Sequence, residues 1–152
     1  MVDIALTWSN ELWRGDWQLN DDGVLADNND LGTAVMLSLF SDRTALPDDV
    51  IPDAGPIRGW WADTYRTYPL GSRLWLLWRE KQTETTRRRA EEYALDACQW
   101  FIAADIARTV DVTAAWIRRG WLEIVVVMTP PVGERRIFRF PIHWAEIAGA
   151  AL

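Results

Sequence analysis

The sequence offers few side chains that could carry out catalysis. Its one histidine, His143, lies beside Trp144 in an apolar segment, and its one cysteine, Cys98, lies on the apolar side of a helical pattern. A cysteine among apolar neighbours is poorly ionised and behaves as a small hydrophobic residue. His143 could act as a general base, but a structural role is the interpretation that we prefer. Neither a Gly-Xaa-Ser-Xaa-Gly motif nor a pair of histidines for zinc occurs in the chain. We therefore assign no catalytic residue.

Carboxylates remain as candidate catalytic groups, because the chain contains 22 acidic residues. A glycoside hydrolase places two of them across a cleft. Glu80 with Asp63 or Asp96 is the pair that such an enzyme would need here. Glu80 lies between Arg79 and Lys81, and an ion pair with a nearby arginine is the interpretation that we prefer.

Acidic and glycine-rich stretches do not predict a metal or a cofactor. Four aspartates fall close together at positions 21, 22, 27 and 30, but they lack the alternate spacing and the closing glutamate of a calcium loop. Residues 55–59 contain two glycines without the lysine of a phosphate-binding loop. Turns and a helix start explain the aspartates better, and we expect no bound metal and no cofactor.

Tryptophan and arginine are unusually frequent in this chain. There are 11 tryptophans among 152 residues, and all but one of the 16 basic residues are arginine. Both types are enriched where proteins bind other proteins. We predict that five of the six aromatic residues between positions 60 and 78 contact a partner, namely Trp60, Trp61, Tyr65, Trp75 and Trp78. Stacking of Trp60 and Trp61 on a sugar ring is the alternative use of the same side chains.

Overall charge and hydropathy exclude two classes of partner. A net charge of −6 argues against a protein whose main work is to bind nucleic-acid phosphates. No apolar run exceeds five residues, the length of residues 124–128, which is far short of the roughly 20 residues of a membrane helix. The N-terminal residues lack the pattern of a secretion signal, and a single cysteine fits a reducing compartment. We expect a protein made in the cytoplasm.

The order of predicted elements indicates an α+β fold in a single domain, residues 1–152. Alternation over residues 2–8 and an Asp22-Gly23 turn predict an N-terminal β-hairpin region. Three helices and a three-stranded antiparallel meander follow. The helices are predicted at residues 30–41 with Asn28 or Asn29 as cap, at 73–80, and at 84–107 with Thr83 as cap; the strands are predicted at 110–116, 121–128 and 135–144.

Three motifs carry a resemblance to a known family. They are Arg-Gly-Trp-Trp-Ala-Asp at residues 58–63, Gly-Ser-Arg-Leu-Trp-Leu-Leu at 71–77 and Arg-Glu-Lys-Gln-Thr at 79–83. With the order of the flanking segments, the chain resembles the small baseplate proteins of Mu-like contractile-tailed phages. That family is similar to the baseplate wedge proteins known as sheath initiators, some of which are labelled tail lysozymes.

The resemblance implies a structural protein of the virion tail baseplate, assembled in the host cytoplasm. Its implied partners are other wedge proteins and the tail sheath protein, with the tail tube as a further candidate and six copies per baseplate. Relatives offer a sheet edge to the first sheath ring. Here that edge would be residues 110–116 or 135–144, and on the latter Arg135, Ile137 and Arg139 are the candidate contacts. A tail-associated peptidoglycan hydrolase or glycan-binding domain is the alternative function.

Overall fold

The computed structural model describes residues 5–9, 11–12, 14–26 and 30–144. They form an α+β fold, as predicted, with a small N-terminal hairpin, helices in the middle and an antiparallel sheet at the C-terminal end. The strands and helices, in chain order, are β1 (Leu6–Ser9), β2 (Arg14–Trp17), α1 (Asp30–Phe40), α2 (Glu84–Cys98), α3 (Trp100–Ala103), β3 (Thr109–Arg118), β4 (Trp121–Thr129) and β5 (Arg136–His143). Short 3-10 turns cover Pro52–Ala54, Trp61–Tyr65 and Leu74–Leu77.

The C-terminal sheet is the predicted three-stranded meander, with β4 between β3 and β5. Thr113 lies opposite Val125, and Ile124 lies opposite Phe140. Every second residue of β4 is buried, because successive side chains of a strand point to opposite faces. Gly120 makes the β3–β4 turn with a φ of 81°, a conformation that glycine adopts without steric cost. One face of the sheet therefore belongs to the core.

Helix α2 covers that buried face. The Thr83 side chain accepts a hydrogen bond from the Thr86 amide, which confirms Thr83 as the N-cap. Ala90, Ala94 and Cys98 are fully buried and belong to the same core cluster as the inner side chains of the sheet. Small residues at three- and four-residue steps let α2 approach β3 closely.

The predicted helix over residues 84–107 is broken in two. Helix α2 ends at Cys98, α3 covers only Trp100–Ala103, and Asp105 then takes a left-handed conformation with a φ of 57°. The apolar spacing continues as far as the buried Phe101, which is why the pattern resembles one helix. The left-handed residue ends it, because no α-helix continues through that conformation.

Helix α1 is largely buried, as expected from its apolar sequence. Val35 and Leu39 are almost fully inaccessible, whereas Leu37 is 40% exposed, so one stripe of the helix faces the surface. The caps predicted for it, Asn28 and Asn29, and the neighbouring Asp27 lie outside the described residues.

The N-terminal region contains a strand that the prediction lacked, β2. Strand β1 pairs with β2, and Leu6 lies opposite Trp17, so the turn between them includes residues 11–12. The predicted Asp22-Gly23 turn forms as well: the Asn20 amide donates to the Val24 carbonyl oxygen and the Ala26 amide to the Gln18 carbonyl oxygen, both at 2.7 Å. All four residues of β2 are exposed, so this strand lacks the apolar alternation that would have revealed it. The start of the predicted strand, residues 2–4, lies outside the described part of the chain.

The segment predicted as a helix over residues 73–80 forms a 3-10 turn, Leu74–Leu77, in which all four residues are buried. Within the described ranges, no helix is long and apolar enough to cross a membrane.

Candidate interaction surfaces

A 31-residue segment, residues 42–72, connects α1 to the buried 3-10 turn Leu74–Leu77, and we call it the aromatic loop. Its two ends are joined: the Arg43 amide donates to the Ser72 carbonyl oxygen at 3.0 Å, and the Ser72 amide donates to Ser41 at 2.9 Å. Gly71 has a φ of 95°, and a Cβ there would collide with the Ser41 carbonyl group. The neck of the loop therefore requires glycine at this position.

The aromatic loop presents three of the predicted contact residues at the surface. Trp61 and Tyr65 are 78% and 84% exposed, and Trp60 is 42% exposed. The Trp60 and Trp61 rings are 5.9 Å apart and tilted by 56°, so they do not form the flat platform on which a sugar would stack. The Arg66 guanidinium carbon lies 5.4 Å from the Trp60 ring centroid, within cation–π range. We call Trp60, Trp61 and Tyr65 the aromatic patch.

Trp75 and Trp78 do not join that patch. Trp75 is only 3% exposed and its Nε1 donates to the Arg43 carbonyl oxygen at 2.8 Å, so it is a core residue of this chain. Trp78 is partly buried and packs against the core. The prediction that Trp75 contacts a partner is wrong, because all four residues of the 3-10 turn Leu74–Leu77 are buried in the core of this chain.

Arg58 is a feature of the loop that the sequence did not single out. Its guanidinium carbon lies 4.6 Å from the Trp75 ring and 5.3 Å from the Trp78 ring. It also donates to the Asp42 carboxylate at 2.6 Å. A cavity of about 200 Å³ adjoins these side chains, with Ile51 among its lining residues. Arg58 thus fastens the middle of the loop to the buried turn, and no local sequence signal marks it for that role.

Glu80 forms the structural ion pair that we preferred from sequence. Its carboxylate binds the Arg89 guanidinium and accepts a hydrogen bond from the Thr86 hydroxyl at 3.2 Å. The Glu80 carbonyl oxygen also accepts from Trp144 Nε1 at 3.0 Å. Hydrogen bonding to the Tyr93 hydroxyl, opposed by desolvation, is the main cause that raises the pKa of Arg89. These contacts connect the start of α2 to the end of the sheet.

The other two carboxylates considered for catalysis also have structural partners. Asp96 accepts from Arg43 at 3.0 Å and lies 3.6 Å from Arg73, and Asp63 accepts from the Leu70 amide at 3.0 Å. Burial raises the pKa of the Cys98 thiol to about 12, so this cysteine is not a nucleophile at neutral pH. No three histidine, cysteine, aspartate or glutamate side chains in the described ranges are grouped so that they could hold a metal ion.

The outer edge of β3 is covered by two side chains of α2. The Ala114 amide donates to a Glu91 carboxylate oxygen at 2.9 Å, and Arg87 donates to the Ala114 carbonyl oxygen at 2.8 Å. Arg87 and Glu91 are themselves paired at 2.7 Å. Arg87 and Glu91 thus satisfy the outward main-chain groups of an edge strand at Ala114.

Glu84 holds Arg87 in this position. The Arg87 Nε and terminal nitrogen donate to the Glu84 carboxylate at 2.8–3.1 Å. This bonding lowers the pKa of Glu84 and raises that of Arg87. The result is a three-residue bracket, Glu84, Arg87 and Glu91, against the edge of β3.

The outer edge of β5 has a different environment. The Trp144 amide donates to the Gly120 carbonyl oxygen at 2.8 Å, which orients residue 144 toward β4. Because main-chain groups alternate in direction along an antiparallel strand, those of Ile137, Arg139 and Pro141 point away from β4. Ile137 is 49% exposed and the Arg139 side chain 62% exposed. Arg135, just before the strand, is exposed as well. Among the described residues, none bonds to the outward main-chain groups of Ile137 and Arg139, and we call these two residues the β5 edge.

Comparison with known proteins identifies the family. A family model described as phage protein GP46 matches residues 31–135. The chain is 43% identical over 135 residues to the baseplate protein gp46 of Escherichia phage Mu, covering 88% of this chain and 91% of that protein. It is 36% identical over 142 residues to the Mu-like prophage FluMu protein gp46 of Haemophilus influenzae, covering 91% and 96%. As the motifs in residues 58–83 predicted, the chain belongs to the phage protein GP46 family.

Proposed function

We propose that this protein is a structural subunit of the tail baseplate of a Mu-like contractile phage and that its β5 edge starts sheath assembly by accepting a strand of the sheath protein. The baseplate role is supported by the 43% identity to a phage Mu protein named as a baseplate protein. The sheath-initiating role extends the resemblance described above, which also implies six copies per baseplate arranged around the tail tube.

The observation that carries the proposal is the contrast between the two outer strands of the sheet. An extended segment can add to a sheet only where main-chain donors and acceptors are unoccupied. At β3, the amide and the carbonyl of Ala114 are bonded to Glu91 and Arg87. At β5, the main-chain groups of Ile137 and Arg139 point away from β4. The geometry therefore favours residues 135–144 over residues 110–116 as the docking strand.

A second contact is proposed at the aromatic patch, which we assign to a larger wedge protein. Trp61 and Tyr65 are exposed on a loop whose neck and interior are held by hydrogen bonds and the Arg58 contacts. Large aromatic side chains on an ordered support are the usual anchors of protein interfaces. A net charge of −6 keeps the free subunit soluble before these surfaces are covered.

We further propose that the protein acts without catalysis. Glu80, Asp63 and Asp96 each have a structural partner, which favours ion pairing and turn formation over acid–base work. We expect that the purified protein releases no soluble fragments from peptidoglycan. The Glu80→Gln variant should instead lower the free energy of unfolding by about 1 kcal/mol, because the pair with Arg89 is only partly buried. Hydrolysis by the wild type that Glu80→Gln abolishes would contradict this part.

The sheath-initiating role is tested by co-expressing the protein with the sheath, tube and wedge proteins of its own phage. We expect Ile137→Pro to abolish sheath nucleation, because proline removes the outward amide of the β5 edge. Ile137→Val keeps the amide and the branched side chain, and should nucleate sheath like the wild type. Electron microscopy of the assembled tails provides the measurement. Normal sheath on Ile137→Pro baseplates would refute docking at β5.

The wedge contact needs a separate variant. We expect Trp61→Ser combined with Tyr65→Ser to lose co-purification with the wedge proteins, while the far-ultraviolet circular dichroism spectrum and the thermal midpoint stay unchanged. Substituting the exposed Val132 with Ser is a control outside the patch. Retention of the wedge proteins by the double variant would show that another surface makes the contact.

A further inference from the structure

We propose that the segment which adds to the β5 edge is a short, acidic strand with a carboxylate opposite Arg139 and an apolar residue opposite Ile137. This inference rests on the proposed strand addition and specifies the chemistry of the strand that is added. It follows from where the edge stops, from the local charge, and from which side chains share a face.

The usable edge is short because Pro141 interrupts it. Pro141 has no amide hydrogen, and it occupies the next outward position after Ile137 and Arg139. On the other side, β5 begins at Arg136, so Arg135 is not part of the strand. An added strand therefore makes its main-chain bonds at Ile137 and Arg139. At about 3.3 Å per residue, such a segment needs only about five residues.

The charge around the edge is opposite to that of the whole protein. Residues 134–143 contain three arginines, Arg135, Arg136 and Arg139, against one acidic residue, Glu134, whereas the chain has a net charge of −6. All three arginines are exposed. Only Arg139 has a carboxylate partner among the described residues, Glu123 at 3.3 Å. A locally basic strand in an acidic protein favours an acidic partner over a basic one and sets its register.

The side chains of the β5 edge decide where the acidic residue belongs. Ile137 and Arg139 are two residues apart, so both project from the same face of the sheet, the face away from α2. Directly opposed residues of antiparallel strands bring their Cβ atoms to about 5 Å, and opposite charges stabilise such a pair. A glutamate or aspartate opposite Arg139 gains this contact, and an aliphatic residue opposite Ile137 covers its exposed surface.

The test uses two synthetic octapeptides with blocked termini, one repeating Val-Val-Glu-Glu and the other repeating Val-Val-Lys-Lys, so that residues two apart on one face are always one valine and one charged residue. Each is titrated to millimolar concentration into the 15N-labelled full chain, and amide shifts are followed by NMR. We expect shifts centred on Ile137 and Arg139. In low salt, the glutamate peptide should bind about tenfold more tightly than the lysine peptide, which corresponds to about 1.4 kcal/mol. This ratio should shrink at high salt.

Two variants test whether charge decides which peptide binds more tightly. We expect Arg135→Glu combined with Arg139→Glu to reverse the preference, so that the lysine peptide binds more tightly. The matched Pro141→Val variant restores an outward amide without changing any charge, and should tighten binding of both peptides. A preference that survives the arginine reversal would overturn the proposed pairing with Arg139.

The outcomes separate this inference from the proposed function. If both peptides bind equally at β5 and Ile137→Pro abolishes binding, strand addition stands and the acidic partner is refuted. If neither peptide shifts the β5 amides, or if Ala114 shifts instead, docking at β5 itself is refuted. Preferential binding of the glutamate peptide that is lost in Ile137→Pro supports both.

Discussion

The strands β3 and β5 occupy equivalent positions at the two sides of one sheet, yet among the described residues side chains of α2 close the edge only of β3, at Ala114. At β3, a carboxylate and a guanidinium from α2 bond to the main chain of Ala114. At β5, Pro141 shortens the run of outward amides and the arginines are exposed, but no described side chain bonds to the outward main chain of Ile137 or Arg139. The docking proposed at β5 rests on this difference, because a strand can be added only where neighbouring side chains leave main-chain groups unoccupied.

The closed edge also explains the charged residues of α2. Glu84, Arg87 and Glu91 follow the spacing of a helix stabilised by surface ion pairs, which individually contribute little. Here Arg87 and Glu91 reach the main chain of another element, so that their contribution includes two charge-assisted hydrogen bonds. Four predictions challenge or refine the contrast between the two edges, and they are ordered by the size of the expected effect.

Loss of the aromatic anchor of β5 should have the largest effect. Phe140 is 4% exposed, and its ring meets Trp8 at 5.8 Å and Phe40 at 5.5 Å. We expect Phe140→Ala to lower the free energy of unfolding by about 3–5 kcal/mol, because it leaves a cavity beneath the strand. Chemical denaturation measures this loss. Phe138→Ala is the control on the same strand; since Phe138 is only partly buried, an equal loss there would contradict this account.

Opening the β3 edge should cost less. We expect Glu91→Ala to lower the free energy of unfolding by about 1–2 kcal/mol, because the Ala114 amide loses a charged acceptor and Arg87 loses a partner. Glu92→Ala, an exposed neighbour on the same helix, should change it by less than about 0.5 kcal/mol. Equal effects of the two substitutions would mean that the bracket does not stabilise the edge.

Hydrogen exchange compares the two edges directly in the wild type. The Ala114 amide is bonded to Glu91, whereas the Ile137 amide points away from β4. We expect exchange at Ala114 to be slower than at Ile137 by about tenfold, equivalent to about 1.4 kcal/mol of local protection. NMR-detected exchange at neutral pH provides the measurement. Similar rates would remove the basis for choosing β5 over β3.

The smallest effect is expected from Glu84, which only positions Arg87. Its pKa in the folded protein lies below the ordinary value of 4.5, mainly because it accepts hydrogen bonds from Arg87. A lowered folded-state pKa stabilises the fold above pH 4.5, and this contribution is lost as the pH falls through the folded-state value. Glu84→Gln should therefore destabilise the protein slightly at pH 7. At a pH below the folded-state pKa of Glu84, the substitution should have no effect on stability. A pH-independent difference between Glu84→Gln and the wild type would contradict this assignment.

The sequence predicted the elements that obey a strong period. The meander is recognisable because β4 alternates buried and half-buried residues along its whole length, and Thr83 is recognisable as a cap. Strand β2 was missed because all its residues are exposed and carry no pattern. The end of α2 was misplaced because the apolar spacing continues through the break to Phe101.

Sites were harder to predict than elements, because the same residue types serve cores and interfaces. Trp61 and Trp75 look alike in the sequence, yet one is 78% exposed and the other 3%. Their difference depends on Arg58 and on the closed neck of the aromatic loop, contacts between residues that are distant in the chain. The motifs in residues 58–83 identified the family, but they did not show which of the two tryptophans is buried.

The closed neck of the aromatic loop has a consequence for how fast a partner leaves. The Arg43–Ser72 and Ser72–Ser41 hydrogen bonds order the loop in the free subunit, before any partner is present. Conformational entropy that is already lost on folding is not lost again on binding, so more of the contact energy of the partner proposed at Trp61 would appear as affinity. Such preorganisation acts mainly by slowing dissociation. If the proposed wedge contact forms there, the ordered loop would lengthen the time for which this subunit stays bound to its partner.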